Sequence, residues 1–275
     1  MNRYDIVAID EQFSGDLLAV LKLDADMREK ALSVIPAAGA ARYIQAANAA
    51  IVPIRGVLLD EWSARGPVWG ATGYNYIRAA VEEAAADPNV SATVLDISSP
   101  GGLVSGMLET FASIEGVGKK KSGKPVCAVI RSVGASAAYA LACAADSIIA
   151  SDSAIVGSIG ARISHISLQR AFENAGIKVT DITSHALKAD VSPFTDLSPA
   201  ARERLQSSVD DAAATFVALV ARRRNMTVSA VNALEAATFP ARSSSGRKTA
   251  LDLKLVDAVA PADQAIAEIL RLSRR

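Results

Sequence analysis

The feature that most constrains this chain is an alternation of short strand-like runs with helical stretches that begins near Ala50. Ile51-Val-Pro-Ile54 reads as a strand, Tyr74 to Ala86 as a helix stopped by Asp87-Pro88, and Val90 to Ile97 as a second strand. A turn at Ser99-Pro-Gly-Gly102, a helix from Leu103 to Ile114, a buried strand from Pro125 to Ile130 and a small-residue helix from Ser136 to Ala145 follow. Short strands are expected at 147–150, 155–159 and 179–183, with a helix at 167–175 between the last two. Strands joined through helices predict an α/β fold with a mostly parallel sheet covered on both faces. Beyond Pro193 the pattern is helical. Ser198-Pro-Ala-Ala-Arg-Glu203 supplies an N-cap and a first-turn proline for a long amphipathic helix to about Arg224, and further helices start at Thr227 and Ala262.

Residues 1–48 read as an N-terminal extension or arm, with a helical piece from Leu17 to Leu32 and a hinge at Pro36-Ala-Ala-Gly39, and 49–275 as one domain. At 275 residues and 51% hydrophobic, the chain can bury a self-supporting core. Lys+Arg and Asp+Glu balance at 29 each, which points to no polyanion-binding field, and nucleic acid is not an expected partner. Cys127 and Cys143 sit in apolar stretches, which suits reduced structural thiols in a reducing compartment. The first ten residues lack the apolar core of a secretory signal, and Ser132 to Ala145 is too short to span a bilayer. A soluble, cytoplasmic chain without a membrane anchor is the expectation.

Several motifs carry possible chemistry. Gly118-Lys-Lys-Lys-Ser-Gly-Lys124 resembles a phosphate-binding loop, but Pro125 replaces the hydroxyl residue and a strand follows where a helix is needed, so it reads as a basic turn. His165 and His185 lack paired ligand spacing, and no cofactor or metal is expected. Arg222-Arg-Arg224 reads as the cationic end of a helix. In Ser99-Pro-Gly-Gly102, glycines after a strand can leave backbone N–H groups open to a carbonyl or anion, or form an ordinary βα turn. Ser136, in Val133-Gly-Ala-Ser-Ala-Ala-Tyr139, is either a nucleophile at a strand-to-helix corner or an N-cap hydroxyl. A base for it is sought in His185 or Lys188; burial beside apolar groups favours the neutral amine a lysine base requires. Ser158, in Gly157-Ser-Ile-Gly160, could hold such an amine or be a turn serine.

In their order along the chain, Ser-Pro-Gly-Gly at 99–102, Gly-Ala-Ser-Ala-Ala-Tyr at 134–139, Gly-Ser-Ile-Gly at 157–160 and Ser-x-x-x-Lys at 184–188 resemble the signal peptide peptidase A family. These are serine/lysine peptidases of the ClpP/crotonase-like fold. The likeness extends over residues 50–260, including Phe216 to Arg223 and Leu253 to Asp257. It implies Ser136 as nucleophile, Lys188 as general base, Ser158 as the hydroxyl orienting the lysine, Gly102 as an oxyanion donor and Gly101 as shaping the turn. Ala137-Ala138 stand where membrane-bound members often have Gly-Gly, His185 replaces a frequent glycine, and 241–248 departs from the usual Gly-Arg turn.

The Ser-Ala-Ala-Tyr variant and the modest length resemble the phage capsid-assembly, or prohead, protease branch. That implies a serine endopeptidase cutting scaffold, portal or capsid precursors, working as a homo-oligomeric ring in which the lysine can serve a neighbouring copy. Three rivals are a cytoplasmic signal-peptide-degrading peptidase, a crotonase-like acyl-CoA enzyme and a non-catalytic assembly scaffold.

Overall fold

A computed structural model describes residues 7–9, 41–63, 66–68 and 70–273. The helical piece and hinge expected between Leu17 and Gly39 lie outside the described residues. In chain order the described elements begin with β1 (Val7–Ile9), β2 (Ile44–Ala46), β3 (Ala49–Arg55), β4 (Val57–Leu59), β5 (Ala71–Gly73) and helix α1 (Tyr74–Ala86). Then come β6 (Ala92–Ser99), β7 (Gly101–Leu103), α2 (Met107–Val117), α3 (Lys119–Ser122), β8 (Val126–Ala135) and α4 (Ala137–Ala144). The rest is β9 (Ser147–Ala150), β10 (Ile155–Gly157), α5 (Gln169–Asn174), α6 (Pro199–Arg224), α7 (Val228–Asn232), β11 (Thr238–Pro240), β12 (Ala258–Val259) and α8 (Ala262–Leu272).

The expected mostly parallel sheet flanked by helices is observed, with a helical C-terminal part. In the larger sheet, β3, β6, β8 and β10 are parallel neighbours in that order, β9 pairs with the first half of β8, and antiparallel β2 and β11 stand at the two ends. Because β2 pairs with β3, this sheet already includes residues before 49. Alternation within each central strand supplies two apolar faces. Ala50, Val52 and Ile54 of β3, Leu95 and Ile97 of β6, and Ala128 and Ile130 of β8 face one core with α1, α2 and α4. Ala49, Val94 and Val129 face the opposite side, where Ala262, Ala265, Ile266 and Ile269 of α8 close a second core.

A smaller sheet, ordered β1-β7-β4-β5, leans on the first. The local sequence predicts a turn at Ser99 to Gly102 running into a helix at Leu103. Instead Ser99 ends β6, Gly101–Leu103 form a strand, and α2 waits until Met107. The cause is long-range: Gly102 lies opposite Leu58 of β4, a pairing no local signal reports. The strand expected over Val179 to Thr183 does not form; the stretch is exposed, with Ile182 at 94%, and no sheet edge is paired with it. The basic stretch 118–124 contains one short helix, α3, before β8, and Lys124 Nζ closes α1 by donating to the carbonyls of Ala85 and Asp87, each at 2.7 Å.

Candidate active site

Three parallel strands bring three of the sequence motifs to one end of the sheet. Ser99 is the last residue of β6 and lies opposite Gly134, Ser136 follows β8, and Ser158 follows β10, whose Gly157 lies opposite Ala135. The carboxyl ends of parallel strands are where open α/β sheets present ligand-binding loops. Ser136, Ser158 and the Gly101-Gly102 strand start are thereby gathered from positions far apart in the chain.

Ser136 is the most constrained of them. It sits between β8 and α4 with φ 53° and ψ −125°, a conformation costly for any residue with a Cβ. Its N–H donates to Gly157 O at 2.7 Å and its carbonyl accepts the N–H of Ala140 at 3.0 Å, so the backbone is gripped from β10 and from the helix it opens. The residue is 1% exposed, and its hydroxyl has no hydrogen-bond partner among the described residues. It does not cap α4, so the bland expectation of an N-cap serine fails. A buried, unsatisfied hydroxyl on a strained strand-to-helix corner has the geometry of a nucleophile elbow.

The walls of this corner are equally specified. All eight residues of α4 are buried, which small side chains permit at close packing. Tyr139 Oη donates to Leu255 O at 2.8 Å, tying α4 to the Leu253–Asp257 stretch. Asp257 accepts the N–H of Ile148 at 2.7 Å and pairs with Arg224 at 2.8 Å. Burial pushes that carboxyl's pKa up, but the bonds from Arg224 and Ile148 outweigh it and hold it below the usual carboxylate range. Cys143, buried within α4, has its thiol pushed up to about 12, chiefly by burial, which suits an inert packing residue. Both cysteines are free thiols.

Gly102 cannot carry a side chain: a Cβ there would lie 1.9 Å from Leu58 O. Gly101 has φ +101°, and its N–H already donates to Ser99 Oγ at 3.2 Å. Gly102, the expected donor to a substrate oxygen, lies opposite Leu58 of β4 on one edge and Ala8 of β1 on the other. Ser158 also has a positive φ, 55°, and its N–H donates to Ala237 O at 2.9 Å.

Lys188 makes no hydrogen bond to Ser136 Oγ within the chain. It ends a single 3-10 turn, Ala186–Lys188, and is exposed. His185 is exposed as well and its Nδ1 meets Ser184 Oγ at 3.0 Å, so it is not the partner of Ser136. His165 Nε2 lies 3.2 Å from Ser192 O.

Two further contributors become visible in the fold. As the first residue of α4, Ala137 has an N–H with no acceptor in its own helix, next to the nucleophile candidate, where a second oxyanion donor would stand. The signal was available, since the residue after a corner serine always holds that place. The other is Arg223, which reads as a charged helix end but donates to the carbonyls of Cys143, Ala144 and Ala145 at 2.6, 3.2 and 2.6 Å, closing the far end of α4. No local pattern announces a contact across such a separation.

Residues 118–274 match the family described as peptidase family S49. The chain belongs to peptidase family S49. The matched stretch contains Ser136, Ser158 and Lys188, while Gly101 and Gly102 precede it. The chain is 32% identical over 268 residues to capsid assembly protease C of Escherichia phage lambda, an alignment covering 95% of this chain and 57% of that protein. It is 34% identical over 194 residues to head-tail preconnector protein GP5 of Enterobacteria phage P21, covering 70% of this chain and 38% of the relative. The S49 chain thus spans between about two fifths and three fifths of the length of these relatives. Among solved structures, ClpP1 from Listeria monocytogenes, determined as a point mutant, is similar over 76% of this chain and 90% of its own, with a TM-score of 0.46 and 12% identity.

Proposed function

We propose that this S49 chain is a serine endopeptidase in which Ser136 is the nucleophile and Lys188, supplied by a second copy, is the general base. The observation that carries the reading is the buried Ser136 hydroxyl, unsatisfied on a strained corner. Such an arrangement has a cost to the fold and a use only if something outside the chain completes it. Five large apolar side chains are exposed between 163 and 188: Ile166, Ile177, Val179, Ile182 and Leu187. Packed against another copy, that segment would cover Lys188 and give its amine the dry surroundings a neutral base requires.

In the proposed reaction a peptide lies extended along β7. The amine of Lys188 takes the proton of Ser136 Oγ as the oxygen attacks the peptide carbonyl, and the oxyanion is held by the N–H groups of Gly102 and Ala137. The protonated amine then gives its proton to the leaving nitrogen, and water repeats the cycle on the acyl-enzyme. Ser158 orients the lysine, and Gly101 keeps the strand start open. Main-chain pairing demands little of side chains. Capsid, scaffold and portal precursors are the proposed substrates, an assignment supported by the names of the phage relatives together with the Ser-Ala-Ala-Tyr motif. A thioester-polarising reading would leave the Ser136 hydroxyl without a purpose.

The test is fluorophosphonate labelling, with the modified residue located by mass spectrometry, alongside mixing of Ser136→Ala and Lys188→Ala chains. Modification at Ser136, and cleavage of co-expressed capsid and scaffold proteins regained on mixing, are expected. Absence of modification at Ser136 would refute the nucleophile, and inactive mixtures of two folded, assembling variants would refute the shared dyad.

A further inference from the structure

The edge of β7 that an incoming peptide needs is already taken by this chain. β7 has two edges: one pairs with β4, with Gly102 opposite Leu58, and the other pairs antiparallel with β1. In that pairing Val7 lies opposite Leu103, Ala8 opposite Gly102 and Ile9 opposite Gly101. β1 is the terminal strand of its sheet, and it lies alongside the two glycines that follow Ser99, the β6 residue opposite Gly134 of the strand that leads into Ser136. A strand has one N–H and one C=O row per edge, so two strands cannot use the same edge at once.

We propose that Val7–Ile9 is an intramolecular occupant of the substrate strand, which must leave β7 before a peptide can bind. This rests on the endopeptidase reading and adds how access to that site is regulated and which peptides suit it. Three paired residues make a short contact, strong enough to compete because it is tethered and weak enough to be displaced. A tethered segment acts at an effective concentration on the order of millimolar, so untethered peptides bind in proportion to the fraction of chains whose edge is open. The register also names the ligand class: an extended segment antiparallel to β7, with aliphatic residues such as Val-Ala-Ile and alanine opposite Gly102.

The experiment uses the full-length chain with Val7→Pro or Ala8→Pro. Backbone N–H groups alternate in direction along a strand, so one of the two substitutions removes an N–H facing β7, and proline also disfavours the pairing. Binding of a fluorescent peptide with the sequence of residues 3–13 is measured by anisotropy, with Ser136→Ala in every chain so that no chemistry is required. At least one proline variant is expected to bind the peptide tenfold or more tightly than its parent, and the same substitution in the Ser136 chain should speed fluorophosphonate labelling several-fold. Equal affinity in the parent and both variants, or no binding to any of them, would overturn the proposal. If no chain were labelled at Ser136, the peptidase reading would fall, while the anisotropy comparison would still judge whether β1 covers the edge.

Discussion

Replacing Ser136 should make the protein more stable and, on the proposed reading, abolish peptide cleavage, and the size of the gain follows from the local geometry. Removing a buried hydroxyl with no partner recovers its desolvation cost, about 1–2 kcal/mol. Ser136→Ala keeps the Cβ and therefore the strain at φ 53°; Ser136→Gly also releases the strain, about 1–3 kcal/mol, offset by about 1 kcal/mol of extra chain entropy. Ser136→Ala should therefore gain about 1–2 kcal/mol and Ser136→Gly about 1–4 kcal/mol, which for a chain of this size raises Tm by roughly 2–8 °C and 2–16 °C. Urea denaturation at fixed protomer concentration is the assay, with an unchanged m-value required so that the shift reports native stability.

A double-mutant cycle with Lys188→Ala extends this test to the dyad. With Lys188 absent, the hydroxyl is unsatisfied even in an assembly and Ser136→Ala should show its full gain. With Lys188 present in an assembled protein, the same substitution also deletes a hydrogen bond to the amine and the gain should shrink by about 0.5–2 kcal/mol. Destabilisation of about 1 kcal/mol or more by Ser136→Ala in the Lys188→Ala chain would refute the idea of a stored cost at this corner. Zero coupling in the assembled protein would refute contact between the two groups.

Other substitutions probe the supports of the site. Arg223→Met removes donors to three carbonyls at the end of α4 and should cost about 2–4 kcal/mol by chemical denaturation, lowering the fluorophosphonate labelling rate even where the chain remains folded. Gly102→Ala forces a Cβ into Leu58 O and should separate β7 from β4, costing about 2 kcal/mol or more and abolishing peptide cleavage. Asp257 has a folded-state pKa below its unfolded value, so its contribution is fully present above about pH 4 and is lost as pH falls through the folded value. In acid titrations monitored by circular dichroism, Asp257→Asn should be less stable than wild type at neutral pH, and the gap should close below pH 4.

What was legible in the sequence was whatever local chemistry decides. α1 runs from Tyr74 to Ala86 as expected because Asp87-Pro88 stops it, and α6 starts at Pro199 because Ser198 Oγ accepts the N–H of Ala201. The three-residue strands β4, β5, β7 and β11 were missed because their residues extend only in answer to distant partners, as Gly102 does to Leu58. At the site, the identities and order of the motif residues were readable, since glycines and small residues must flank a tight strand-to-helix corner. The dihedral angles of Ser136, its lack of a partner and the reach of Arg223 to α4 were not, because each depends on which segments the sheet makes neighbours.

Parallel pairing also explains why Lys188 behaves differently from the other motif residues. Ser99, Ser136 and Ser158 end or follow neighbouring strands, so the hydrogen-bond registers of β6, β8 and β10 set their relative places in every folded chain. Lys188 follows no strand; it lies on an exposed stretch that the sheet does not hold, among apolar side chains that one chain leaves in water. On the proposed dyad, a single copy presents the nucleophile without a fixed base, and the chemistry should scale with assembly. Specific activity is expected to fall steeply on dilution, in step with the loss of larger species in sedimentation velocity, while Ser136 stays buried and the fold persists by circular dichroism. Undiminished specific activity in a demonstrably monomeric sample would mean that one chain can bring Lys188 to Ser136 by itself, and the second copy would have no part in the reaction.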